Sequence, residues 1–122
     1  MLYVFIGGGA GCVVRYLFSV LVNRLQIFTF PVATLAANVV SCLVFGLLLF
    51  FLGEKGAFSS GSIVRPLLLT GFCGGLSTFS TFSFETFELF KRGDFAFAGV
   101  NILMNMILCL VIFAMVARST AE

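Results

Sequence analysis

An all-α integral membrane fold of four transmembrane helices is what this sequence predicts, on three observations. Hydrophobic residues make up 61% of the chain and charged residues 10%, against roughly 45–50% and about 25% in an ordinary globular domain. Four apolar stretches, at about 2–22, 32–52, 66–90 and 95–117, each have the length of about 20 residues that crosses a bilayer as a helix. The seven Lys and Arg residues sit mostly between or beside those stretches, with Arg15 the exception. Together these predict a single transmembrane domain over residues 1–122.

The same composition narrows the chemistry. Histidine is absent and the few acids are scattered, so no acid–base pair for an enzyme is evident. The four cysteines, Cys12, Cys42, Cys73 and Cys109, fall one in each predicted helix without C-x-x-C spacing. That offers little to a zinc, haem or redox centre, and they read as small buried side chains. Nothing points to a nucleic-acid partner; the surroundings are membrane lipid. The apolar run begins at Leu2 with no basic segment before it, so the first helix is expected to stay rather than be cleaved as a signal peptide.

The first helix carries Gly7, Gly8, Gly9 and Gly11, then Arg15. An ionisable group within a membrane span is a functional candidate. Arg15 either snorkels to the nearer surface or lends positive potential to an aqueous vestibule. No acid accompanies it in that helix. In the second helix Thr34, Asn38 and Ser41 or Cys42 recur at helical spacing and draw one polar stripe on an otherwise oily cylinder.

The third stretch is the unusual one. Gly71, Gly74 and Gly75 are followed by Ser77, Thr78, Ser80, Thr81, Ser83 and Thr86. Glycines loosen a helical ladder, and nearby hydroxyls re-satisfy freed backbone groups. A break is therefore expected near residues 74–78. Carbonyls unwound at such a break can coordinate a cation. Close helix packing through small residues is the simpler reading of the glycines, but it does not call for so many hydroxyls with phenylalanines between them. Phe79 and Phe82 are three apart and share a helical face. Because an aromatic ring has a positive edge, two rings presented edge-on can line an anion's path.

In the fourth helix Asn101, Asn105 and Cys109 recur every four residues. Asparagine amides in hydrocarbon need bonded partners, and their NH₂ donors suit an anion stripped of water. Glu88 and Arg92, four apart, read as a surface pair.

Four helices place both termini and the second connection on one side. Lys55, Arg65 and Arg118 lie there, and Arg24, Lys91 and Arg92 lie opposite, three against three. Orientation normally follows an excess of Lys and Arg on the cytoplasmic side. An even count leaves two readings open: one charge or a partner decides, or both orientations insert and pair as an antiparallel dimer.

Three segments taken together resemble the Fluc (CrcB-type) fluoride channels. They are Gly7-Gly-Gly-Ala-Gly-Cys-Val-Val-Arg-Tyr16, Ala33-Thr-Leu-Ala-Ala-Asn38 and Gly71-Phe-Cys-Gly-Gly-Leu-Ser-Thr-Phe-Ser-Thr-Phe-Ser-Phe-Glu85. The resemblance spans essentially the whole chain. It implies a dual-topology antiparallel homodimer in the plasma membrane (the bacterial inner membrane), passing fluoride out of the cytoplasm. It implies a structural sodium ion held by backbone carbonyls of the break, here those of Gly74 and Ser77. It places the pore phenylalanines at Phe79 and Phe82, the second-helix asparagine at Asn38, a lining hydroxyl at Thr81, an acid at Glu85 and the first-helix arginine at Arg15. Where some members carry serines on the fourth helix, this chain has Asn105 and Cys109. Asn105 is expected to donate to the anion, and Cys109 is a weaker donor. The alternative is a small dual-topology proton-coupled exporter, which wants an acid in mid-membrane.

Overall fold

In lipid, a backbone amide or carbonyl must find its partner inside the protein, which leaves helices as the economical way across for runs this apolar. The computed structural model describes residues 1–25, 30–52 and 62–119, and no strand occurs among them. Four segments are long and apolar enough to span a membrane: Leu2–Arg24, Val32–Leu52, Arg65–Lys91 and Phe95–Ser119. The protein is thus a multi-pass membrane protein. The expectations on the first two connections fall partly on residues 26–29 and 53–61, outside the described residues.

Helix α1 is Leu2–Leu25 and α2 is Val32–Leu52. Pro31 stands at the start of α2, its carbonyl accepting from Leu35 N–H at 3.3 Å. The third span is made of pieces. A π-helix, Arg65–Cys73, opens with Pro66 in its first turn and runs into one α-helical turn, α3, Gly74–Leu76. Ser77 and Thr78 are extended, and α4, Phe79–Lys91, resumes the crossing. Proline at a helix start removes an amide that has no partner there in any case.

A tight turn ends α4. Gly93 takes φ 81°, Gly93 N–H donates to Phe90 O at 3.1 Å, and Asp94 N–H donates to Leu89 O at 3.0 Å. This is the Schellman pattern, which needs a residue at ease with positive φ. Asp94 O then accepts from Ala98 N–H at 3.0 Å and opens α5, Phe95–Ser119. On the surface, Glu88 pairs with Lys91 at 3.1 Å, rather than with Arg92 as the spacing suggests. The cysteines also differ from expectation: only Cys73 is buried, Cys42 and Cys109 are half-buried and Cys12 is exposed.

Two kinds of packing hold the spans. Helix α1 lies against the π-helix and α3, and α2 lies against α5. At the first contact the backbones nearly touch. A Cβ on Gly7 would meet Leu67 O, one on Gly11 would meet Phe72 O, and one on Gly75 would meet Gly8 O. At the second, Phe45 and Phe113 meet edge to face at 5.6 Å.

Candidate functional site

The break in the third span follows from a competition for amides. An unbroken helix would donate Thr78 N–H to Gly74 O, but here it donates to Asn38 Oδ1 at 2.8 Å. Likewise Thr81 N–H, which would serve Ser77 O, goes to the Thr78 hydroxyl at 3.3 Å, making Thr78 the N-cap of α4. Hydroxyl oxygens at this position satisfy amides that the first turn leaves orphaned. The glycines themselves stay helical: Gly74 has φ −65° and ψ −33°. The unwinding sits at Ser77 (ψ 153°) and Thr78 (φ −150°), one to two residues beyond Leu76.

Helix α2 supplies the side chains that stabilise this interruption. Its polar stripe runs antiparallel along the third span. Ser41 Oγ donates to Cys73 O at 2.8 Å, Asn38 grips Thr78, and Thr34 Oγ1 donates to Glu85 Oε1 at 2.8 Å. The Ser77 hydroxyl also donates to Cys73 O, at 3.0 Å. Glu85 Oε2 is buried and has no partner.

From α5 a second polar row arrives. Asn38 Nδ2 donates to Asn105 Oδ1 at 2.9 Å. Asn105 Nδ2 donates to both Asn101 O and Asn101 Oδ1, each at 3.0 Å. Asn101 Nδ2 donates to Thr86 Oγ1 at 2.9 Å, and Thr86 donates to Phe82 O at 2.7 Å. Asn101, Asn105 and Thr86 are all buried.

Where these elements meet lies a recess of about 210 Å³, lined by Asn38, Ser77, Phe79, Phe82, Asn105 and Cys109 among others. The Phe79 and Phe82 rings are 5.8 Å apart, inclined at 49°. Phe82 is buried, whereas Phe79 is 73% exposed. Four of the candidate path residues, Asn38, Phe79, Phe82 and Asn105, therefore come together at one place.

The others do not. The Thr81 hydroxyl belongs to the cap, accepting from Thr78 Oγ1 at 3.1 Å. Glu85 lines a different recess of about 200 Å³ with Phe30, Glu88 and Arg92. Arg15 is held on the far side of the break, its Nε donating to Gly75 O at 3.1 Å. Arg15 does not line the recess; its Nε satisfies a carbonyl beside the interruption. The expectation that Asn105 donates to an anion is corrected, because its NH₂ is turned into Asn101 and its oxygen faces Asn38. Sequence reading noted Asn101 on the polar stripe of the fourth helix and Thr86 among the hydroxyls of the third, but not that they join Asn105 and Asn38 in one row behind the recess. Their signal was the four-residue spacing of Asn101 and Asn105, but what they join to is a matter of which helices adjoin.

The recess is lined by amides, hydroxyls, aromatic rings and thiols, with no carboxylate among its lining residues.

The chain is also similar to known proteins over most of its length. The family described as "CrcB-like protein, Camphor Resistance (CrcB)" matches residues 2–117. A protein of Coxiella burnetii (strain CbuK_Q154) named fluoride-specific ion channel FluC is 43% identical, over 90% of this chain and 88% of its own. A protein of the same name from Geobacter sp. (strain M21) is 39% identical, over 98% and 97%. Another, from Pyrococcus abyssi, is 42% identical, over 87% and 83%.

Proposed function

We propose that this chain, which belongs to the CrcB-like protein family, is a fluoride-specific ion channel. It lets fluoride leave the cytoplasm passively across the bacterial inner membrane and so confers fluoride resistance; it is not an enzyme. The observation that carries the reading is the single recess in which Asn38, Phe79 and Phe82 meet beside the broken span. Fluoride is small and strongly hydrated, so a path must replace its lost water with donors. The Asn38 amide and the positive ring edges of Phe79 and Phe82 do so in a passage too narrow for chloride, and the Thr81 hydroxyl, held in the cap of α4 outside the recess, continues the path beyond it. Asn105 contributes by holding Asn38. Glu85 with Thr34 extends the polar track toward the end of α4, and Arg15 adds positive potential behind the break.

Two copies assemble as an antiparallel, dual-topology homodimer. The even division of Lys and Arg supports insertion in both orientations. A single copy also leaves Thr70, Gly74 and Ser80 exposed on the third span, polar surface better met by protein than by lipid.

A structural sodium ion fits the carbonyls of Gly74 and Ser77. Both have lost the amide that a continuous helix would give them, to Asn38 and to the Thr78 hydroxyl. Gly74 is exposed in a single copy, and a Cβ on it would meet nothing within 4 Å. Carbonyls freed beside a helix break coordinate Na⁺, and with two copies the number of ligands doubles. The ion would tie the two breaks together.

One observation favours a second reading. Glu85 is an acid within a span, with an unpartnered oxygen, as a proton-coupled exporter requires. Fluoride efflux from proteoliposomes loaded with potassium fluoride, followed with a fluoride electrode, separates the two. A channel carries net charge, so release should wait for valinomycin to let potassium follow, and potassium chloride vesicles should release nothing. Rapid release without valinomycin would mean electroneutral proton coupling. No release from folded protein in either condition would overturn the channel.

A further inference from the structure

The polar row from α5 has a fixed direction, because a backbone group anchors each end. At one end Thr78 N–H can only donate, so the Asn38 atom facing it is the oxygen. At the other end Phe82 O can only accept, so Thr86 must donate to it and accept from Asn101. An amide offers an acceptor on one side and donors on the other. Each asparagine between the anchors is therefore forced into one orientation, and none can flip alone without setting like against like.

The consequence falls on the recess. Both oxygens of Asn101 take up the Asn105 NH₂, so Asn105 has no donor to give. Asn38 spends one N–H on Asn105 Oδ1 at 2.9 Å. Its other N–H has only Thr78 O at 3.5 Å, well beyond the usual length of about 2.9–3.0 Å. That proton is not held at ordinary hydrogen-bond length, and it belongs to the one asparagine of the row that both lines the recess and keeps such a donor.

We propose that Asn101 and Thr86 are positioning residues for the anion path: acting through Asn105, they hold the Asn38 amide so that one of its N–H groups is the donor an anion meets. Neither residue lines the recess. The inference rests on the reading of that recess as the fluoride path.

Fluoride efflux from proteoliposomes of the full chain tests it, using Asn101→Leu, Thr86→Val and Thr86→Ser. Asn101→Leu and Thr86→Val should each lower flux roughly three- to tenfold, the scale of one hydrogen bond, while eluting from size exclusion as the wild type does. Thr86→Ser keeps the hydroxyl and should stay within about twofold of wild type on the same scale. A structural readout accompanies the flux. In ¹⁵N-asparagine-labelled protein, the Asn38 side-chain signal, assigned by its loss in Asn38→Ser, should shift in Thr86→Val although the two residues do not touch. Wild-type flux in folded Asn101→Leu or folded Thr86→Val, an unmoved Asn38 signal, or a Thr86→Ser as impaired as Thr86→Val would overturn the proposal. A wild-type chain that releases no fluoride would instead sink the reading beneath it.

Discussion

The third span presents two faces, and they are built on opposite principles. Toward α1 it offers Gly71 and Gly75, and there the contact is backbone against backbone, with one side-chain hydrogen bond, from Arg15 to Gly75 O, beside it. A Cβ at Gly71 would lie 3.0 Å from Gly7 Cα, and one at Gly75 would strike the carbonyl of Gly8. Toward α2 and α5 it offers the Cys73 carbonyl, the Thr78 amide and the Thr86 hydroxyl, and the contact is made by side-chain hydrogen bonds: Ser41 donates to Cys73 O, Asn38 accepts from Thr78 N–H and Asn101 donates to Thr86. In lipid, apolar contact between helices has little driving force of its own, so association relies on close packing or on polar bonds. Here each mechanism has its own face. One face fixes where the span stands, and the other is left free to hold a break and a polar recess.

The largest expected effect breaks the first face. Gly75→Ala should cost about 3 kcal/mol or more, since both colliding partners are backbone and cannot yield. Its neighbour is the control. Gly74→Ala meets nothing within 4 Å in a single copy and should cost much less than Gly75→Ala in thermal unfolding in detergent, a gain of up to about 1 kcal/mol in helix propensity opposing what the added methyl meets across the proposed dimer. Equal behaviour of the two variants would mean that the close approach of α1 does not limit the fold.

Next in size is a change to the second face that spares the first. Phe79→Ile and Phe82→Ile should each reduce fluoride flux by more than about tenfold, some 1.4 kcal/mol of barrier. Phe82 is 7% exposed against 73% for Phe79, so only Phe82→Ile should also lower the unfolding temperature. Unchanged flux in both variants would remove the rings from the path. The smallest effect lies outside both faces. Glu88→Gln removes a pair with Lys91, whose side chain is 58% exposed. It should change stability by less than about 0.5 kcal/mol and leave flux unchanged.

Much of this was legible in the sequence, and the reasons are specific. Whether a stretch such as 95–117 can cross a bilayer depends on its own length and apolarity, so the spans could be read locally. The hydroxyls after Leu76 marked the interruption, and the spacing of Thr34, Asn38 and Ser41 marked one face of α2. The family's motif residues also pointed to the place where Asn38, Phe79 and Phe82 meet.

What only the tertiary structure decided was the ownership of each polar atom. The glycines looked like the weak point, yet they stay helical, and the break falls at Ser77 and Thr78 because Asn38 from another helix takes the Thr78 amide. Asn105 looked like a donor, yet Asn101 and Thr86 turn its NH₂ inward. Arg15 looked like a charge seeking water or a vestibule, and it is bonded to Gly75 O. Apolar length is a property of a segment by itself. A hydrogen bond is a property of two groups brought together, and the sequence does not state which groups those are.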